Sequence, residues 1–140
     1  GIPSPDSAAH RARWLNESQL DGVDLVLAMS REHRTAAVEL APARTRAAFT
    51  AREFARLARG VDDDAIRACA DAVGADPHAR VAAVLALLGQ RRGEVPLPAD
   101  AGDDDVVDPF RRSWQTYQRS AEQLLPGIDA VARVLRATLA

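Results

Sequence analysis

The hydrophobic pattern of the chain predicts short buried strands joined by amphipathic helices. Leu25 to Met29 form an unbroken apolar run of strand length, and the absence of polar alternation is typical of a strand covered on both faces. Ser30 follows directly and can cap a helix predicted over Arg31 to Leu40, which Pro42 stops. The apolar triplet Ala47 to Phe49 comes after this helix and is predicted to be a second strand. This order predicts a parallel sheet.

Capping signals delimit several further helices. Asn16 can cap a short helix before the first strand, and Thr50 with Glu53 has the spacing of a capping box. The helices predicted from such signals are Glu17 to Leu20, Ala51 to Arg59, a helix that Asp62, Asp63 or Asp64 caps and that runs through Val73, and Pro77 to Arg92. The last two are predicted to form a helical hairpin over residues 61–92 that decorates the sheet.

A long helix is predicted to close the chain. Gly93 to Val107 is rich in Pro and Asp and is predicted to be a mobile connection, after which Ser113 can cap the last helix. Apolar residues recur along this helix at helical spacing, and we expect them to pack on the sheet: Tyr117, Leu124, Ile128, Val131 and Leu135. Pro126 is expected to kink the helix or to divide it in two.

Composition narrows the class of protein. The 140 residues fit one domain, and the 18 basic residues, all of them Arg, are interleaved with acids to a net charge of −2. This balance is unlike a nucleic-acid-binding surface, and no apolar run is long enough to cross a membrane. The single Cys69 is consistent with a reducing cytoplasm and is interpreted as a small buried residue. Because the chain begins with Gly1, we expect the natural product to contain upstream residues.

One polar segment could carry acid–base chemistry. Asp108 precedes Pro109, which fixes the backbone, and Phe110, whose ring could form an apolar wall that favours the neutral, proton-donating carboxylic acid. The alternative is an ordinary Asp-Pro turn. The acidic run 103–105 is expected to be solvated and lacks the alternation of a calcium loop. The three histidines lie too far apart for a metal set, so no metal is expected.

Taken together, these segments resemble the low-molecular-weight protein-tyrosine phosphatases, especially the longer actinobacterial forms. The matching pieces occur in the family's order: HRARWL from His10, DLVLAMSREHR from Asp24, AAFTAREFARLA from Ala47, Asp108 to Phe110, and the closing helix. The resemblance implies an α/β fold, namely the C-terminal portion of a doubly wound, flavodoxin-like parallel sheet. Residues 1–140 would form a single domain, N-terminally incomplete, with residues 61–92 as an insertion.

The family's chemistry implies roles for the matching residues. Asp108 would be the general acid and Phe110 would contact the ring of a phosphotyrosine. His10, Arg13 and Ser30 would support the phosphate-binding loop, although the family usually has Asp where Ser30 stands. The substrate would be a phosphotyrosine protein or a small phosphomonoester, and no cofactor is implied.

The family's nucleophile is absent from these residues. It lies in a loop of Cys, five residues and Arg, but Cys69 has Ala75 at the required spacing. We therefore expect the chain alone to be inactive unless another segment supplies this loop. Two alternatives remain: a non-catalytic module that associates with itself or a partner through an exposed strand edge, and an unrelated helical binding module.

Overall fold

The computed structural model describes residues 13–140 and has an α/β architecture in which helices predominate. Strands β1 (Val26–Ala28) and β2 (Ala48–Thr50) are parallel, with Leu27 opposite Phe49. The α-helices are α1 (Glu17–Leu20), α2 (Arg31–Leu40), α3 (Ala51–Ala58), α4 (Asp63–Asp71), α5 (Pro77–Gln90) and α6 (Trp114–Leu139). Short 3₁₀ turns cover Pro42–Ala47, Arg91–Gly93 and Ala101–Asp104. The predicted parallel, helix-rich α/β class is confirmed.

The helix starts follow the capping signals. Thr50 and Glu53 form a reciprocal capping box at α3, because the Thr50 Oγ1 accepts from Glu53 N at 3.1 Å and the Thr50 N donates to the Glu53 carboxylate at 3.3 Å. The other caps are Asn16, Ser30, Asp62, Asp76 and Ser113. The second strand lies one residue later than predicted, since Thr50 both ends β2 and caps α3.

The hairpin of α4 and α5 is part of the core, so its interpretation as a decoration of the sheet is wrong. Ile66 and Leu88 are fully buried, and Val84 is almost fully buried, in one apolar cluster with Phe49 of β2 and Val134 of α6. A sheet of two three-residue strands offers too little apolar surface to cover six helices. The helices therefore bury their apolar faces mainly against one another.

The predicted inward face of helix α6 is correct in part, because Val131 and Leu135 pack against the core cluster as predicted. Its buried residues are Gly127, Val134, Ala137 and Thr138, whereas Tyr117 and Ile128 remain exposed. The helix packs closely on the start of α3 through Gly127, so the core face is centred on small residues. Pro126 lies within an unbroken helix, so the predicted division does not occur.

The connection after α5 is anchored rather than mobile. Asp104 forms an ion pair with Arg56 at 2.7 Å, and Asp105 forms one with Arg31 at 3.0 Å. The backbone N–H of Val106 donates to the Met29 carbonyl at 2.8 Å. Asp104 and Asp105 are therefore bound by arginines of α3 and α2, whereas Asp103 is exposed, as expected.

A surface ion pair gives a pH-dependent contribution to stability. His78 at the start of α5 binds Asp24 before β1, with Nδ1 at 2.8 Å from Oδ2, and this hydrogen bond and the Asp24 charge raise the pKa of the imidazole. Because the imidazole pKa is higher in the folded protein, the ion pair stabilises the fold at pH values below the unfolded-state pKa of about 6.5. This stabilisation is lost as the pH rises through the pKa of the folded state. We expect His78→Ala to lower the Tm at about pH 5.5 and to have little effect on the Tm at about pH 9.

Differential scanning calorimetry across this range checks the prediction. Asp24→Ala provides the control, because adding His78→Ala to it should cause no further pH-dependent loss if the two side chains act as a pair. A destabilisation by His78→Ala that grows with rising pH would contradict the assignment.

Candidate functional site

The candidate site lies where the two strands end. The N-terminus of α2 follows β1, the N-terminus of α3 follows β2, and the segment leading to Asp108 passes alongside. Val106 N binds the Met29 carbonyl, and Val107 N donates to the Gln123 Oε1 of α6, each at 2.8 Å. Asp108 therefore begins a turn at the carboxyl end of β1, the edge at which α/β sheets place their ligands.

The Asp108 carboxylate is exposed and takes part in a local turn. Its Oδ1 accepts from the backbone N–H of Phe110 at 2.9 Å, which is the geometry of an Asx turn. Phe110 is 66% exposed, and the Arg111 guanidinium lies 5.1 Å from its ring centre. The enclosing apolar wall expected from the sequence is absent, and the Asp-Pro turn describes this geometry better. Both side chains remain open to a ligand.

The two predicted supporting residues that the structure describes, Arg13 and Ser30, are not both assembled around Asp108. Ser30 caps α2, since its Oγ accepts from His33 N at 3.2 Å. Arg13 is exposed and makes no hydrogen bond or ion pair with residues 13–140. His10 lies outside the described residues. Of the two that are described, Ser30 adjoins the Asp108 segment, because the carbonyl of the preceding Met29 accepts from Val106 N.

The sequence interpretation missed an arginine–aspartate network at this edge. Asp105 accepts from the backbone N of Arg31 at 2.7 Å and from its guanidinium, and these hydrogen bonds from Arg31 lower the pKa of the Asp105 carboxyl. The guanidinium of Arg52 donates to the Asp105 carbonyl at 3.0 Å, and Arg56 binds Asp104. The spacing of Arg52 and Arg56, one turn apart on α3, was the available signal. A carboxylate of the chain itself thus occupies the N-terminus of α2.

The outer edge of β2 is closed by side chains. The Ala48 carbonyl accepts from Arg34 Nε at 2.8 Å and from Arg92 Nη2 at 2.7 Å, which uses both of its lone pairs. Thr50 N, which points to the same side of the strand, donates to Glu53. Glu53 is 12% exposed and also binds Arg92 Nε at 2.7 Å. These groups occupy the positions that a further strand would need.

The outer edge of β1 is open over most of its length. Because Ala48 and Thr50 face away from β1, the backbone groups of Phe49 face it, and those of Leu27 point away from β2. The Met29 carbonyl also points outward and binds Val106. Within the described part of the chain, Leu27 has no outward backbone partner. Among residues 13–140 nothing occupies this edge at Leu27, so a further strand could pair with β1 there.

The Glu53 cluster should contribute measurably to stability. We expect Glu53→Ala to lower the free energy of unfolding by about 2 kcal/mol, because it removes half of the α3 capping box and leaves the Arg92 guanidinium, 28% exposed, without its carboxylate. Urea denaturation measures this loss, and Glu39→Ala, at an exposed position of α2, is the matched control. Equal stabilities of the two variants would contradict this role.

Within residues 13–140 no cluster of His, Cys, Asp and Glu is arranged to hold a metal ion. Among the helices described, none has the length and apolar character needed to span a bilayer. Cys69 is half-buried on α4, within the apolar cluster.

Comparison with known proteins assigns neither a family nor a function to the chain. No protein-family model, no curated protein and no solved structure matches the chain.

Proposed function

We propose that this chain is the acid-bearing part of a low-molecular-weight phosphotyrosine phosphatase domain, active only when a second segment supplies the phosphate-binding loop. The observation that carries the proposal is the hydrogen bond from Val106 to Met29, which holds the exposed Asp108 turn at the carboxyl end of β1. The order of the family-like segments in the sequence supports it. The single Cys69 is consistent with a reducing cytoplasm as the location.

The open edge of β1 is where the completing segment would bind. A parallel strand paired with Leu27 would end on the same side as β1, so the loop after it would face the Asp108 turn. Such a strand would enlarge the sheet toward the doubly wound, flavodoxin-like arrangement that the resemblance implies. The closed edge of β2 directs this addition to β1.

The proposed reaction has two steps. A cysteine thiolate in the supplied loop attacks phosphorus, an S–P bond forms, the P–O bond to the phenol breaks, and the protonated Asp108 gives its proton to the leaving oxygen. Water then attacks phosphorus while the Asp108 carboxylate accepts a proton from it, the S–P bond breaks, and inorganic phosphate and the cysteine thiolate are released. Phe110, which is exposed beside Asp108, would contact the aromatic ring of the substrate.

Hydrolysis of p-nitrophenyl phosphate tests the proposal. The 140-residue chain is expected to show no turnover, whereas a polypeptide that contains these residues together with a Cys-x5-Arg segment is expected to hydrolyse the ester through the cysteine of that segment. Intact mass identifies which polypeptide is assayed. Turnover by the 140 residues that is lost in Cys69→Ala, or an inactive natural polypeptide that contains a Cys-x5-Arg loop, would refute the proposal.

A second candidate is a non-catalytic association module. The observation that favours it is the Asp105 carboxylate at the N-terminus of α2, because one anion-binding position at the sheet edge is already filled by the chain. In this alternative, the open edge of β1 pairs with a strand of a second copy or of another protein. A natural polypeptide that lacks any Cys-x5-Arg loop would favour it.

A further inference from the structure

A positively charged cleft lies between the 3₁₀ turn that precedes β2 and the end of α5. It has a volume of about 360 Å³ and is lined by Arg46, Ala86, Gly89, Gln90 and Arg92. Two of these side chains carry a positive charge and none carries a negative charge. Because Gly89 has no side chain, the space between its Cα atom and the Arg46 carbonyl remains open. The cleft is therefore large enough for a small organic ligand.

The arginines at this place outnumber the carboxylates that bind them. Arg92 and Arg34 both donate to the Ala48 carbonyl, at 2.7 and 2.8 Å, so their guanidinium groups lie close together. They also share one carboxylate, that of Glu53, which lies 2.7 Å from Arg92 Nε and 3.9 Å from Arg34 Nε. By contrast, several other arginines each bind a separate aspartate: Arg31, Arg56, Arg67, Arg80 and Arg133.

Arg46 adds a third positive charge. It is exposed and forms no ion pair within residues 13–140. The carbonyls of Leu88 and Gly89 at the end of α5 accept from the backbone N–H of Arg91, so Arg46 does not cap them. Among the side chains that line the cleft or bind its arginines, three arginines thus face the single carboxylate of Glu53.

Unpaired guanidinium donors in a cleft favour an oxyanion. A guanidinium presents a planar set of N–H donors that matches the oxygens of a phosphate or a carboxylate. Within residues 13–140 the Nη1 group of Arg92 makes no hydrogen bond, because its Nε and Nη2 groups bind Glu53 and Ala48. Since more than one positive charge is available, a dianion is attracted more strongly than a monoanion.

We propose that this cleft binds a small phosphate monoester, with the phosphate held by Arg46 and Arg92. The Gln90 amide can donate to the same phosphate, and Ala86 and Gly89 leave room for the organic part of the ligand. The cleft contains no residue of the Asp108 turn, so this site is independent of the proposed phosphatase activity.

Nuclear magnetic resonance of the isotope-labelled chain tests the site with inorganic phosphate as the first probe. At constant ionic strength, we expect saturable shifts of the Gly89 and Gln90 amide signals and of the Arg46 and Arg92 Nε–H signals. Glycerol 2-phosphate should shift the same signals. Acetate, a monoanion, should bind at least about tenfold more weakly than phosphate.

Matched variants locate the binding. Arg46→Gln should raise the Kd for phosphate at least about tenfold, whereas Arg119→Gln, which removes an exposed arginine of α6, should leave it unchanged. Ala86→Glu should abolish the saturable shifts, whereas Ala121→Glu, the same change at an exposed alanine of α6, should not. All four positions are exposed, so these variants are expected to fold.

Three results would overturn the proposal. The first is a set of signals that shift in proportion to phosphate without saturation. The second is acetate binding as tight as phosphate binding, and the third is an equal effect of Arg46→Gln and Arg119→Gln on the Kd.

Discussion

Replacing Gly127 with alanine is expected to lower the free energy of unfolding by about 3 kcal/mol, the largest single-site effect on stability that we predict. A Cβ atom at this position would lie 2.6 Å from the Ala51 carbonyl oxygen and 2.9 Å from its carbonyl carbon. These are backbone atoms in the first turn of α3, directly after the Thr50 capping box, so they cannot move without displacing the junction of β2 and α3. Helix α6 would have to shift away from the core.

Thermal and urea denaturation measure this loss, with Gly93→Ala as the matched control. Gly93 has no atom within 4 Å of an added Cβ, so its replacement should leave the Tm within about 2 °C of the wild type. A Gly127→Ala variant as stable as Gly93→Ala would show that α6 does not pack this closely on α3.

If the proposed function is correct, replacing Asp108 with asparagine is expected to reduce kcat for p-nitrophenyl phosphate by about 10² to 10⁴-fold in a polypeptide that contains these residues and the phosphate-binding loop. Asparagine retains a side-chain oxygen that can accept from Phe110 N, so the local turn is preserved while the proton donor is lost. The effect should be smaller for esters of more acidic phenols, because such leaving groups need less protonation.

Steady-state rates across a series of aryl phosphates check this prediction. Asp103→Asn is the control, since Asp103 lies in the same acidic segment and its carboxylate is 4.0 Å from Arg52. A kcat of Asp108→Asn close to that of Asp103→Asn would remove Asp108 from the mechanism and would leave the association module as the better interpretation.

Local signals determined the parts of the fold that the sequence predicted. A capping side chain acts within three residues, so Thr50 with Glu53 and Asp76 with Pro77 marked helix starts independently of the tertiary fold. The apolar run that contains β1 was equally clear. Such short sequence segments do not show which distant elements pack together. For this reason the hairpin of α4 and α5 was interpreted as peripheral.

The face of α6 shows why periodicity alone was insufficient. Two apolar stripes run along this helix, and the predicted one is correct at Val131 and Leu135, which pack against the core, but wrong at Tyr117 and Ile128, which are exposed. The buried side instead contains Gly127 and Ala137, because small residues permit the close approach to α3. Only the position of α3 distinguishes the two.

The candidate site was predicted in part. The sequence placed Asp108 and Ser30 near the strand ends, and the structure connects their segments through Val106 and Met29. The pairing of Asp105 with Arg31 was missed, since the two residues are 74 positions apart and an acidic run usually remains in solvent.

Because arginine side chains close the outer edge of β2, a further strand would be added to the sheet beside β1. The side chains of Arg34 and Arg92 both bind the Ala48 carbonyl, so they block this side of the sheet. Among the described residues, the backbone groups left for pairing with a further strand lie beside Leu27. A polypeptide that joins the sheet by main-chain pairing is therefore expected to add next to β1 and to leave β2 as the terminal strand.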